Sequence, residues 1–218
     1  MSAAPIGEPG NKAIPASADA TLSVRPLSSG VLPLFAQRWS PRAMKPGVNV
    51  EQLHTLFEAA RWAPSSFNAQ PWRFLYARAE TSDWPLFFDT LMDANKSWVA
   101  NAGALICVLS RKVYTHNEKD FPGHAYDTGA ARQNLMLQAT AMGLITHAMG
   151  GFDAALARKN LQVPDGHDVH CMIAIGLPGD TASLPAPLQE FEKPSQRRPI
   201  SIIAQAGAFS DALEATWP

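Results

Sequence analysis

The sequence predicts a single domain of mixed helices and strands, and three observations carry that prediction. Asn49 with Gln52 three residues later reads as a capping box, after which Leu53, Leu56, Phe57 and Ala60 recur with the period of an amphipathic helix. Residues 72–77, 102–109 and 169–177 read as strands, and the second run is apolar throughout, the signature of a central strand covered on both faces. Residues 124–142 supply the longest helix, rich in small side chains that permit close packing. At 218 residues the chain is long enough for one core that buries about 70% of the surface exposed by the unfolded chain.

Taken in order, residues 1–25 are rich in Ala, Ser, Pro and Gly and are expected to form a flexible extension, with the folded domain spanning 26–218. Residues 30–39 turn apolar and predict a short helix with Pro33 in its first turn, ended by Ser40-Pro41. The amphipathic helix then runs to about Trp62, where Pro64 stops it. Residues 83–91 predict a helix capped by Ser82, with Trp84, Phe87, Phe88 and Leu91 on its apolar side. A polar loop follows over 111–123, long enough to cover or shape a site. Gly143 closes the long helix. The strand over 144–152 ends at Gly150-Gly151, where backbone without side chains can approach a ligand. A short helix covers 154–160. The Pro-rich run 184–199 reads as extended surface chain presenting Lys193, Arg197 and Arg198, and Phe209, Leu213 and Trp217 in the tail suggest docking on another subunit.

Composition excludes several classes of function. Hydrophobic residues make up 46% and charged residues 17%, leaving room for subunit-facing surface, and the formal net charge is −1. No basic stripe interleaved with aromatics marks a nucleic-acid binder. Cys107 and Cys171 sit in apolar runs as small buried hydrophobes, with no disulfide framework implied. Neither an apolar secretory segment nor a run of about 18 apolar residues is present, so a cytoplasmic setting without a membrane anchor is expected. His167-Asp168-Val169-His170-Cys171 contains metal-ligand types, but strand alternation sends His170 and Cys171 to opposite faces, and no metal site is expected. Neither a Gly-rich dinucleotide fingerprint nor a P-loop occurs.

The most informative stretch is Ala63-Pro64-Ser65-Ser66-Phe67-Asn68-Ala69-Gln70-Pro71-Trp72, between the amphipathic helix and the first strand. Two prolines should hold this loop in one shape, Pro71 pushing Gln70 towards an extended conformation. Ser65, Ser66, Asn68 and Gln70 offer hydroxyls and amides, and Phe67 and Trp72 flat apolar surface. That mixture suits a planar ring with donors and acceptors on its edge. Upstream, Arg38-Trp39-Ser40-Pro41-Arg42 gathers donors suited to phosphate or ring carbonyls.

The pattern A-P-S-S-x-N-x-Q-P-W at the end of a helix resembles the flavin-binding segment of the FMN-dependent nitroreductase family. Arg38, Ser40 and Arg42 match its R-x-S-x-R element, Gly150-Gly151-Phe152 its Gly-Gly-Phe turn, and Arg197-Arg198 its C-terminal basic pair, all in the family's order. Pro41 departs from the pattern by removing a backbone donor.

The resemblance implies an α+β fold with a mostly antiparallel central sheet flanked by helices, and a homodimer with exchanged terminal segments and FMN at the subunit interface. By the same resemblance Arg38 and Arg42 would stabilise reduced flavin and the phosphate, and Ser40 with Arg198, Arg197 or both would hold the phosphate. Pro64, Ser65, Ser66, Asn68 and Gln70 would meet the ring, and Gly150 or Gly151 would present an N–H near N5. NADPH or NADH would reduce the flavin, and a small aromatic acceptor such as a nitro compound or quinone would reoxidise it, with no side chain acting as catalyst. Alternatives are an FMN-dependent dehydrogenase, a specialised biosynthetic or dehalogenating reductase, or a protein that only sequesters FMN.

Overall fold

A computed structural model describes residues 21–28 and 30–214, so the expected extension up to residue 20 and Trp217 lie outside the described residues. The extension's last residues are not a loose tail: 21–24 are helical, and Thr21 and Arg25 are buried. Helix α1 (Pro33–Gln37) ends at Gln37, before Ser40, because Arg38 turns to extended backbone. Strand β1 (Met44–Lys45) leads to α2 (Val50–Arg61), where Asn49 Oδ1 accepts the Gln52 N–H at 2.8 Å and Gln52 Oε1 accepts the Asn49 N–H at 3.0 Å. The capping box is therefore complete.

The chain continues through β2 (Trp72–Arg78), α3 (Trp84–Phe88), α4 (Asp93–Val99) and β3 (Ala104–Arg111), then α5 (His124–Ala141), β4 (Ile145–Met149), α6 (Ala154–Asn160), β5 (His167–Pro178) and α7 (Ala186–Gln189). The structure differs from expectation at three places here. Ser82 is not the cap of α3, since Asp83 precedes the helix and makes no side-chain cap bond. Helix α4 has no signal in a short, polar window, and Trp98 and Val99 are what bury it. Residues 184–199 are not extended throughout, because α7 lies within them.

Among the described residues every strand pairing is antiparallel, in the order β1-β5-β3-β2, with β4 also on β5. Strand β5 is the axis, pairing β3 on one side and β4 then β1 on the other. Alternation along β3 builds both halves of the core. Leu105, Cys107 and Leu109 join Trp98, Phe87 and Met172 on one face, while Ala104, Ile106 and Val108 join Leu53, Leu56, Leu135 and Ile173 under α2 and α5 on the other. Gly143, at φ +75°, closes α5 and turns the chain into β4. Among the described residues no helix is long and apolar enough to cross a membrane.

A register shift between Val108 and Leu109 leaves His170 without a partner on β3, an extra residue in β5. Bulging defeats the simple alternation that would send His170 away from Cys171. The imidazole instead meets Ser110, which shares the face of Val108, a neighbour of Cys171 in the core beneath α5. Among the described residues no group of three or more His, Cys, Asp or Glu is placed to hold a metal ion.

Candidate functional site

The loop after α2 is tied down by hydrogen bonds, though not in the expected shape. Phe67, Asn68 and Gln70 have φ of 51°, 52° and 46°, so Gln70 is left-handed rather than extended. Local hydrogen bonds override the pre-proline preference: the Gln70 N–H donates to Ser65 Oγ at 3.0 Å, and its side-chain amide donates to the Asn68 carbonyl at 3.1 Å. The Ser66 N–H donates to Asp127 Oδ2 at 2.8 Å, pinning the loop to the first turn of α5. Thus Ser65 and Gln70 spend their polar groups on the loop itself. Asn68 is exposed, and Phe67 stands 82% exposed beside the Tyr114 ring. Trp72 is no part of this surface, being buried against Leu53 and Val108.

Pro64, Ser65 and Ser66 form one wall of a cleft of about 640 Å³, whose other wall is α5 with Tyr126, Asp127, Gly129 and Arg132. Sequence reading missed the α5 wall. Asp127 and Arg132 are the two full charges in an otherwise uncharged 18-residue helix, which was the available signal. Arg132 Nε is buried without a partner among the described residues.

Arg38, Ser40 and Arg42 line a second cleft, of about 330 Å³, with Arg25, His147, Lys193 and Arg197. Arg38 Nη1 donates to Ser40 Oγ at 3.3 Å. Pro41 removes one donor, but the next two backbone N–H groups, of Arg42 and Ala43, both donate to Glu192 Oε1, at 2.7 and 2.8 Å. Burial lowers the Arg38 pKa, and Arg197 and Arg132 lower it further by like-charge repulsion. Arg132 therefore acts on both clefts. His147 is pushed down to about 4 by burial and by Arg42, so at neutral pH it is uncharged and donates from Nδ1 to the Pro41 carbonyl at 3.3 Å. None of the five cations here (Arg25, Arg38, Arg42, Lys193 and Arg197) forms an ion pair among the described residues.

The structure separates the basic pair. Arg197 belongs to the cationic cleft, and both it and Arg198 line an adjoining, more apolar hollow with Phe35 and Ile200. It also separates the two glycines. Gly150 is exposed, and a Cβ built on it would meet nothing within 4 Å, whereas one on Gly151 would fall 2.5 Å from Asn95 Nδ2. Asn95 Nδ2 donates to the Gly151 carbonyl at 2.8 Å, so Gly151 serves packing and Gly150 leaves open space. Within one chain the loop cleft and the cationic cleft share no lining residue.

Comparison with known proteins places this architecture. A solved oxidoreductase containing FMN superposes with a TM-score of 0.81 at 42% identity, over 85% of this chain and 96% of its own. A nitroreductase in complex with FMN from Desulfovibrio desulfuricans, provisionally so named, gives 0.66 at 26% identity, over 84% of this chain and 100% of that one. A Streptomyces griseus protein provisionally named NADH dehydrogenase/NAD(P)H nitroreductase is 28% identical over 167 residues, 67% of this chain and 84% of its own. The description of the nitroreductase family matches residues 35–86 and 77–177, the span that holds the loop, Arg38, Ser40, Arg42 and both glycines. The chain belongs to the nitroreductase family of oxidoreductases.

Proposed function

We propose that this protein binds FMN and uses it to move reducing equivalents from NADH or NADPH to a small aromatic acceptor, such as a nitro compound or a quinone. One observation carries the reading: five cations line a single cleft with no ion pair among the described residues, an arrangement that calls for an anion of phosphate type. When bound, FMN would supply the hydride-transfer chemistry between nicotinamide and acceptor, and Arg38, Arg42, Lys193 and Arg197 would hold its phosphate.

The chain's own residues bind, orient and tune. Arg38, Arg42, Lys193 and Arg197 neutralise the phosphate, with Ser40 set by its bond to Arg38. Neutral His147 keeps a further positive charge out of the cleft wall. Asn68 offers an exposed amide to a ring edge, and Gly150 lets a flat ring approach the backbone. In a homodimer, Pro64, Ser65 and Ser66 of one subunit complete the site whose phosphate end belongs to its partner. The names of the FMN-containing relatives support the cofactor, and the Streptomyces griseus relative supports the nicotinamide donor.

The test is the visible spectrum of freshly purified protein before and after anaerobic NADH and NADPH, with sedimentation to fix the oligomer. FMN that bleaches with a nicotinamide is the expected result, and Arg38→Ala and Arg197→Ala should each reduce flavin occupancy. A colourless protein that takes up no added FMN overturns the reading.

A further inference from the structure

Arg25 lies outside every motif of the sequence and outside the matched span, yet it is 8% exposed and lines the cationic cleft. Its Nε donates to the Ser195 carbonyl at 2.7 Å, and its Nη1 to the carbonyls of Ala36 and Arg38, both at 3.0 Å. Two distant stretches, at 36–38 and at 195, thus meet on one guanidinium. Gln196 Nε2 adds a bond to the Val24 carbonyl, closing the same seam. Among the described residues no acceptor takes Arg25 Nη2 and no carboxylate pairs with Arg25. Burial lowers its pKa, and Arg197 and Arg38 add repulsion, so the cluster is held at a cost that an anion would relieve.

We propose that Arg25 is a phosphate-binding and positioning residue: its Nε and Nη1 fix the chain at Arg38 and next to Arg197, and its Nη2 faces the phosphate. This rests on the reading of the cleft as the phosphate end of an FMN site. Only a guanidinium does both tasks, because lysine lacks the fork that reaches Ser195 and the α1 carbonyls together.

The experiment compares Arg25→Lys and Arg25→Gln with the wild type by fluorescence titration of FMN and of riboflavin, which lacks the phosphate. A second arm measures the rise in melting temperature on adding inorganic pyrophosphate at constant ionic strength. FMN affinity should fall by at least about tenfold, the size of one charge-assisted hydrogen bond, with riboflavin affinity within about twofold of wild type. The pyrophosphate-induced rise should shrink clearly in both variants, since Arg38, Arg42, Lys193 and Arg197 remain in the cleft. Affinities for both flavins that fall together, or an unchanged pyrophosphate effect, would assign Arg25 to scaffold alone. Wild type that responds to pyrophosphate but binds no flavin would overturn the cofactor while leaving the anion clamp standing. Variants that fail to fold at all would also reduce Arg25 to a structural residue.

Discussion

The backbone N–H of Ser66 donates to the carboxylate of Asp127 at 2.8 Å, tying the loop after α2 to the first turn of α5. Asp127 is 9% exposed and Ser66 is exposed at the cleft, so truncating Asp127 removes a charge-assisted bond that water replaces only in part. Asp127→Ala should cost about 1–3 kcal/mol, lowering the melting temperature by roughly 2–4 °C per kcal/mol in a chain of this size. Asp127→Asn, which keeps an acceptor, should cost less. A calorimetric scan with no shift for the alanine variant would remove the anchor.

The two adjacent glycines predict opposite behaviour. Gly150→Ala adds a methyl to open space, so thermal stability should hold while flavin occupancy falls. Gly151→Ala pushes on Asn95 and should cost about 1 kcal/mol through the disturbed Asn95 bond to its carbonyl. Chemical denaturation with flavin absorbance separates the two outcomes.

His147 makes stability depend on pH. Its pKa falls from 6.5 to about 4 on folding, so between those values the unfolded chain binds the extra proton and stability rises with pH. The contribution is complete above about pH 6.5 and is lost as pH falls towards 4, a span of roughly 3 kcal/mol. His170 and His167 shift down as well, both chiefly through burial, and act with the same sign. His147→Gln should flatten the slope of the urea midpoint between pH 6.5 and 4.5.

Ser110 is fully buried between two imidazoles, with Oγ 2.7 Å from His124 Nδ1 and 2.5 Å from His170 Nε2. One hydroxyl carries one proton, so it donates to one ring and accepts from the other. Asp168 Oδ2 lies 3.8 Å from His124 Nε2, and a single proton on that nitrogen would leave His124 Nδ1 as the acceptor and His170 Nε2 as the donor. Ser110→Ala should cost about 1–3 kcal/mol. Nitrogen-15 shifts of the two rings give the tautomers, and a proton on His124 Nδ1 contradicts the assignment.

Both thiols should be silent in the native state. Burial pushes Cys107 up to about 12 and raises Cys171, so neither offers thiolate near pH 8. A thiol reagent should titrate them only after denaturation.

The loop at 63–72, the R-x-S-x-R run and the double glycine were legible because each depends on residue types at short spacing. The loop's left-handed turn at Gln70 was not, since it depends on where Ser65 Oγ ends up after folding. Arg25 offered no local signal: an arginine in a Pro- and Ser-rich run looks like tail, and its value comes from a carbonyl 170 residues away. Helix α4 was missed for a related reason, its polar sequence being overridden by burial of Trp98 and Val99.

Sequence by itself determined strands β2 to β5, the capped helix α2, the long helix α5 and the polar loop between α2 and β2, because periodicity and capping act within a few residues. Only tertiary structure decided which cations share a cleft, that Arg197 sits there beside Arg38, and that a bulge turns His170 onto Ser110. Those outcomes rest on antiparallel register and on contacts across more than a hundred residues. Their energies belong to the packed chain rather than to any local stretch of it.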